Sequence, residues 1–463
     1  MTSDAVIDFP NEKIEPKVKE MKNFFASGKT KNIDFRIEQL QKLKAGLKKY
    51  EADIAHALWL DLHKSKEEVF LTETSILFQE IDLHLKNLKS WLRPQKVSTP
   101  VYLKPSSSKI VFESLGVALI IAPWNYPMQL LFDPLIGAIS AGCCAVLKPS
   151  EFAPNVSALA QKMVSEVFEE DYISVIQGSQ QVGEELLKQH YDVVFFTGSS
   201  KVGKIVMKNA AEHLTPLILE LGGKSPCIVD ETADLYIAAK RIAWGKAMNA
   251  GQTCIAPDYI LAHENIKDQL LQKLADAFNN FFGKNIRQSE YYGRIINERA
   301  FDRLIGLMHG EEIWWGGKTD RESLFISPTI LDNVQPGSPI MQEEIFGPLL
   351  PVISFNKIEE AIEIINQKEK PLALYYFGNE KKADAVLAQT TSGSVCINDT
   401  LMQIANHNLP FGGVGNSGIG KYHGKDSFLA FSNQRSVLVT PTWLDLRFKY
   451  PPYQFFSLIR KWI

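Results

Sequence analysis

Val193-Val194-Phe195-Phe196-Thr197-Gly198-Ser199-Ser200-Lys201-Val202-Gly203 decides the fold. Its β-branched and aromatic start reads as a buried strand, and the glycine turn then opens a helix over Lys201 to Glu212. A strand handed directly to a helix is the unit of a parallel sheet with crossover helices. The same grammar extends both ways. Val117 to Ile121, Ala145 to Leu147, Ser174 to Ile176 and Leu217 to Leu219 are short apolar strands, with helical stretches at Ser157 to Phe168 and Val182 to Gln189. A second α/β run follows: strand Cys227 to Val229, helix Ala233 to Met248, strand Tyr259 to Ala262, and helices Lys267 to Phe282 and Glu298 to His309. It continues through Leu350 to Phe355, a helix over Glu359 to Asn366, and Ser394 to Asn398.

Nearer the amino end, Phe35, Ile37, Leu40, Leu43 and Leu47 recur at helical spacing, predicting a helix over 34 to 50. A second helical stretch covers 66 to 92. Val97 to Leu103 and Lys109 to Glu113 are β-prone and flank Pro105-Ser106-Ser107-Ser108, a hairpin with little core of its own. The glycine-dense segment Pro410 to Gly420 predicts a loop with unusual backbone angles, and Arg435 to Thr440 a last strand.

A chain of 463 residues suggests two or three domains, and 45% hydrophobic with 22% charged residues is ordinary for a soluble globular protein. The net charge of −3 gives no basic field for nucleic acid. The five cysteines are dispersed, with no Cys-x-x-Cys, so neither a disulfide framework nor a metal site is indicated. Met1 to Lys17 holds no apolar signal core, and the apolar stretches Val117 to Ala122 and Leu130 to Leu147 are interrupted and shorter than the roughly 20 residues a bilayer needs. Trp443 to Ile463 mixes aromatics with Arg447, Lys449, Arg460 and Lys461. This tail is expected to pack on the body or a partner subunit, with peripheral membrane contact as the alternative.

Three groups suit acyl transfer. Cys254 ends the polar turn Asn249-Ala250-Gly251-Gln252-Thr253, whereas Cys143, Cys144, Cys227 and Cys396 sit among apolar neighbours. Glu220 closes the strand Leu217 to Leu219, and Asn125 lies within Pro123-Trp124-Asn125-Tyr126-Pro127. A thiol supplies a nucleophile, a carboxylate a base for water, and an amide a donor for an oxyanion. Each has an ordinary structural explanation when taken alone. A working thiol suits a reducing compartment, so cytosol is expected.

Two further signals fit a phosphate-bearing ligand. A glycine at the Thr197–Gly203 turn lets the backbone approach a phosphate, and the helix start adds free N–H groups and a favourable dipole. The spacing is Gly-x-x-x-x-Gly, so a plain strand-to-helix turn stays open. Lys148-Pro149-Ser150-Glu151, just past another strand, places a cation and a carboxylate where a ribose could bind, or simply forms a solvated loop. Both sit at carboxyl ends of strands, where open α/β sheets bind ligands.

Taken with Glu220-Leu221-Gly222-Gly223-Lys224, Gly251-Gln252-Thr253-Cys254, Glu344-Ile345-Phe346-Gly347-Pro348 and Pro410-Phe411-Gly412-Gly413, these motifs resemble the aldehyde dehydrogenase superfamily from about residue 24 to 440. Phe24 to Thr30, Cys254 to Tyr259 and Asn416 to Gly424 resemble its class 3 branch, which includes fatty aldehyde dehydrogenases. The resemblance implies an α/β fold class: two Rossmann-like α/β domains with parallel sheets plus a small β oligomerisation (bridging) element. Residues 1–95 and 116–220 would form the dinucleotide-binding domain, 221–405 the catalytic domain, 96–115 and 406–445 the bridging element, and 446–463 the tail. It implies that Cys254 attacks an aldehyde, that Asn125 and the Cys254 N–H hold the oxyanion, and that Glu220 activates water. NAD or NADP would meet Lys148 and Glu151 at the adenosine ribose, Gly198, Ser199 and Gly203 at the pyrophosphate, Glu344 at the nicotinamide ribose and Phe346 beside the nicotinamide. A homodimer follows from the same likeness. Glu151 should repel a 2′-phosphate and favour NAD, although class 3 relatives often accept NADP. Tyr126, Met128, Ile255, Asn398 and Phe411 are candidates to line the aldehyde pocket.

A thiol esterase or acyl-transfer enzyme would use the same groups without nicotinamide. Intact Cys254, Glu220 and Asn125 argue against a binding protein that has lost its chemistry. The water-activating Glu220 argues against transfer to coenzyme A.

Overall fold

The computed structural model describes residues 8–445, 449–453, 456 and 460. Arg447 and Lys461, named above for the tail, and Met1 to Ile7 lie outside the described residues.

Val117–Ile121 lies at the centre of a six-stranded sheet, parallel to Cys144–Lys148 on one side and Val193–Thr197 on the other. Ile173–Val175 and Leu217–Glu220 extend it in parallel, and short Gly418–Ile419 closes one edge antiparallel, with Gly418 opposite Glu220. Every residue of Cys144–Lys148 and Val193–Thr197 is buried, which is why these strands are apolar runs without alternation.

A seven-stranded sheet runs in the order Glu312–Trp315, Thr329–Asp332, Leu349–Phe355, Tyr259–His263, Pro226–Val229, Ala373–Phe377 and Ser394–Ile397. It is parallel except for the edge strand Glu312–Trp315. Gln95–Val97, Ser107–Ser114 and Ser432–Val439 form a separate antiparallel sheet.

The expected helix over 34 to 50 is Ile33–Lys49. The stretch over 66 to 92 departs from one continuous helix. It runs as Lys66–Val69, a π-helical turn at Phe70–Thr74, and Ser75–Trp91. The Thr72 hydroxyl donates to the Glu68 carbonyl at 2.7 Å, the kind of side-chain insertion that perturbs a helix. The expected hairpin arm over Val97 to Leu103 is also shorter. Only Gln95–Val97 pairs, and Val101–Leu103 turns as a 3₁₀ helix after Pro100. Gln129–Ala141 carries no amphipathic stripe because all its residues are buried, so its helical period was invisible in sequence. Among the described residues, no helix is long and apolar enough to cross a membrane.

Candidate active site

The strands of the first sheet end toward a cavity of about 510 Å³. Pro123, Trp124 and Asn125 reach it after Val117–Ile121, Thr197 and Gly198 from the end of Val193–Thr197, and Glu220 to Gly222 from the end of Leu217–Glu220. The second sheet contributes the approaches to its strands: Cys254 before Tyr259–His263, Glu343 to Phe346 before Leu349–Phe355, and Leu372 before Ala373–Phe377. The cavity thus lies off the carboxyl ends of one sheet, the position where open α/β sheets take ligands.

Cys254 is half-buried there, after a turn in which Asn249 and Ala250 hold φ of 51° and 52°. Non-glycine residues avoid that region unless their surroundings impose it. Here the Asn249 N–H donates to Glu68 Oε1 at 2.7 Å, and its side-chain amide donates to the carbonyls of Asn125 at 2.8 Å and Gln252 at 3.1 Å. The adjacent Gly251 has φ of 75°, and a Cβ on it would stand 2.2 Å from the Gly347 carbonyl oxygen. Only glycine fits. Burial first, then the charges of Glu344 and Glu220, push the Cys254 thiol up to about 12, while the N–H groups of Cys254 and Ile255 pull the other way.

Asn125 is buried and donates one amide hydrogen to the Gln252 carbonyl at 3.1 Å, fixing its plane. Its own carbonyl accepts from Lys64 Nζ at 2.7 Å. Lys64 is fully buried, pairs with Glu73 at 2.8 Å and sits 3.9 Å above the Tyr126 ring. The other Glu73 oxygen accepts from the N–H groups of Met128 and Gln129, each at 2.9 Å. No motif announces this support.

Glu220 is buried with both carboxyl oxygens unpartnered. Burial raises its carboxyl well above the ordinary range, opposed by the Lys421 ammonium. Glu344 Oε1 is likewise buried without a partner, and burial followed by Asp258 pushes Glu344 up to about 8. Its loop is pinned by Arg303 at the cavity wall and by Asp258 behind it. Arg303 donates to Glu343 Oε1 at 2.9 Å and the Glu344 carbonyl at 3.3 Å, and Asp258 Oδ1 accepts from the Ile345 N–H at 2.9 Å. Phe346, at φ of 49°, stands edge-on to Trp124 with centroids 5.3 Å apart.

Asn125, Gly198, Ser199, Glu220, Cys254, Glu344 and Phe346 therefore meet at one cavity, whereas Lys148, Glu151 and Gly203 lie outside it. Lys148 ends its strand buried, bonded to the Pro149 carbonyl at 3.0 Å and to Glu151 at 3.4 Å. Ser199 caps the helix Ser200–Ala211, accepting from the Val202 N–H. Gly203 has a packing explanation, because a Cβ there would come 2.7 Å from Leu221 Cδ2. Of the aldehyde-pocket candidates, Phe411 lines the cavity. Tyr126, Met128 and Ile255 are buried in packing, with the Tyr126 hydroxyl 2.6 Å from Thr253 Oγ1, and Asn398 bonds the backbone of Gly378.

A dinucleotide fits these residues. The unpartnered Glu344 oxygen can accept from a hydroxyl, and the Gly222 backbone runs so close to that carboxylate that a Cβ would lie 2.0 Å from Oε2. A capped helix start faces the same cavity.

Known proteins resemble this chain over nearly its whole length. The aldehyde dehydrogenase family pattern matches residues 5–437. The chain is 48% identical to 4,4'-diaponeurosporen-aldehyde dehydrogenase of Staphylococcus aureus over 444 residues, covering 95% of this chain and 97% of that one. It is 46% identical to the dimeric NADP-preferring aldehyde dehydrogenase of Canis lupus familiaris, covering 95% and 98%. The structure matches the substrate-bound state of Staphylococcus aureus AldH with a TM-score of 0.95 at 47% identity, covering 97% and 99%. An indole-3-acetaldehyde dehydrogenase complexed with NAD+ matches with a TM-score of 0.85 at 27% identity, covering 94% and 90%. Motif, fold and full-length likeness converge, and this chain belongs to the aldehyde dehydrogenase family.

Proposed function

We propose that this chain oxidises a medium- or long-chain aliphatic or an aromatic aldehyde to the carboxylic acid, using NAD or NADP, with Cys254 as nucleophile, Glu220 as the base for water and Asn125 as oxyanion donor. The observation that carries this reading is the convergence of a half-buried thiol, a fixed amide and a carboxyl with both oxygens free on one cavity. Trp124, Leu130, Leu372 and Phe411 give that cavity apolar walls suited to a long or aromatic chain. The likeness to an enzyme named 4,4'-diaponeurosporen-aldehyde dehydrogenase supports an aldehyde as the substrate.

The chemistry follows from the geometry. Burial keeps the Cys254 thiol protonated at neutral pH, so attack on the carbonyl requires its proton to leave as the carbon–sulfur bond forms. That proton passes to solvent water, which leaves the Glu220 carboxyl and its unpartnered oxygens for the later step. The alkoxide formed is held by the second Asn125 amide hydrogen and the Cys254 N–H, a donor of this kind lowering the barrier by about 3 kcal/mol. NAD or NADP supplies the hydride acceptor, with Glu344 and Phe346 at the nicotinamide end and Lys148, Glu151, Gly198, Ser199 and Gly203 toward the adenosine and pyrophosphate. Glu220 then takes a proton from water, whose oxygen adds to the thioester. The carbon–sulfur bond breaks and the acid leaves.

The dinucleotide-binding part comprises 1–95 and 116–220, the catalytic part 221–405, and the bridging element 96–115 and 406–445, with 446–463 as a tail. The working unit is a cytosolic homodimer.

Reduced-cofactor absorbance with a panel of aldehydes tests the proposal. Wild type should give signal with NAD or NADP, Cys254→Ala none, and Glu220→Gln a burst followed by a slow steady state. No signal from wild type with either cofactor would refute the reading, and wild-type turnover in Glu220→Gln would remove its base role.

A further inference from the structure

Lys421 lies on the glycine-rich segment that closes the first sheet. Gly418–Ile419 pairs antiparallel with Leu217–Glu220, Gly418 opposite Glu220 and Ile419 opposite Leu219, so the chain after Ile419 runs back along that strand, with Gly420 beside Ile218. The half-buried Lys421 donates from Nζ to the Gly393 carbonyl at 3.3 Å and to the Gly412 carbonyl. Gly412 is the spacer between the two charges. It holds φ of 151°, and a Cβ on it would stand 2.8 Å from Glu220 Oε1 and 3.0 Å from Lys421 Cδ. No side chain fits there.

The arrangement is specific in what it withholds. Lys421 makes no hydrogen bond to Glu220, whose two oxygens stay unpartnered. A direct ion pair would have filled the positions a base needs for water. A cation held one backbone away acts through its field instead, favouring the carboxylate without occupying it. Each group feels the other: Lys421 opposes the burial that raises Glu220, and Glu220 opposes the burial that lowers Lys421. The other titratable groups influenced by Glu220 are Cys254 and Tyr422, while Lys201, Arg303, Glu343 and Glu344 line the same cavity.

We propose that Lys421 is a positioning residue for water activation: its ammonium, tethered to the carbonyls of Gly393 and Gly412, favours the ionised form of Glu220 while leaving both carboxylate oxygens free to take a proton from water. This rests on Glu220 being that base.

The test runs without nucleotide. Hydrolysis of a p-nitrophenyl ester acylates Cys254 through its sulfur with release of p-nitrophenolate, and water then releases the acid, so deacylation reports the water step apart from hydride transfer. Deacylation is measured against pH for wild type, Lys421→Met, Lys421→Gln, Lys421→Arg and Glu220→Gln. Lys421→Met and Lys421→Gln should move the ascending limb up by about one pH unit, slowing deacylation about tenfold below it and meeting the wild-type rate above it. Lys421→Arg should restore the wild-type limb. Mass spectrometry should find more acylated Cys254 in Lys421→Met on the acid side. A limb unmoved in both neutral variants, or a uniform drop at every pH that Lys421→Arg shares, would overturn the proposal. Glu220→Gln separates the two readings. A flat, slow profile supports its base role, whereas a wild-type limb in Glu220→Gln would remove the base itself rather than the part assigned to Lys421.

Discussion

At Glu344 the demands of the fold and of the cavity oppose each other. Its carboxyl is pushed from 4.5 up to about 8, first by burial and then by Asp258, with the Gly223 N–H, Lys224 and Arg303 resisting. A carboxyl raised in the folded state holds its proton there more tightly than in the unfolded chain. Its contribution is therefore unimpaired below pH 4.5 and turns against folding as pH climbs toward 8. Glu344→Gln keeps the shape and removes the ionisation. It should match wild type in denaturant unfolding near pH 4.5 and exceed it near pH 8, by on the order of 3 kcal/mol. Equal midpoints near pH 8 would mean that the carboxylate is solvated. The residues lining the cavity were legible where residue type and backbone context agreed: a thiol on a glycine turn, a carboxylate at a strand end, an amide between prolines. Their support was not. Glu73 takes the i+4 place between Val69 and Leu77 on a helical face, and only the tertiary fold brings Lys64 to it.

One buried ion pair ties three elements together. From the turn before Ser75–Trp91, Glu73 receives the Lys64 ammonium at 2.8 Å and the N–H groups that begin Gln129–Ala141. Lys64 in turn holds the Asn125 carbonyl in the loop between Val117–Ile121 and that helix. Removing one member leaves a buried charge uncompensated, a loss of about 3 to 5 kcal/mol. Lys64→Met should therefore destabilise the protein by about 3 kcal/mol and lower kcat/KM about tenfold as Asn125 drifts. Lys64→Met combined with Glu73→Gln should recover part of the stability, a non-additivity that denaturant unfolding of both single variants and the double variant reads directly. Additive losses would show the pair to be uncoupled. At this scale the sequence showed most strands, because a strand buried on both faces is an unbroken apolar run. Ala373–Phe377 and Thr329–Asp332 escaped, since such short runs carry no period of their own. The helices Ile14–Ala26 and Glu51–Leu62 also went unnoticed, although Ile14, Val18 and Met21 in one and Ile54, Leu58 and Leu62 in the other recur at helical spacing.

Within the whole molecule, the six- and seven-stranded sheets bury their faces inside one chain and the three-stranded sheet does not. Ser432–Val439 is the outer strand of the order Gln95–Val97, Ser107–Ser114, Ser432–Val439, and Leu438 and Val439 are each 51% exposed. Val101 and Tyr102, in the turn of the same hairpin, are 86% and 72% exposed. An open edge beside exposed apolar side chains invites pairing with another chain, and a second copy would satisfy it with closed symmetry. Light scattering should find about twice 52.1 kDa for wild type and 52.1 kDa for Leu438→Asp combined with Val439→Asp. The residues lining the catalytic cavity come from the ends of the first two sheets, from helices beside them and from the glycine-rich segment, and none comes from this outer strand. Dissociation should therefore leave turnover per chain nearly intact at room temperature and shorten its thermal half-life, because the exposed edge loses its cover. A wild-type monomer at micromolar concentration would sink the dimer. A dissociated variant without activity would show instead that the three-stranded sheet holds the cavity in shape across the interface.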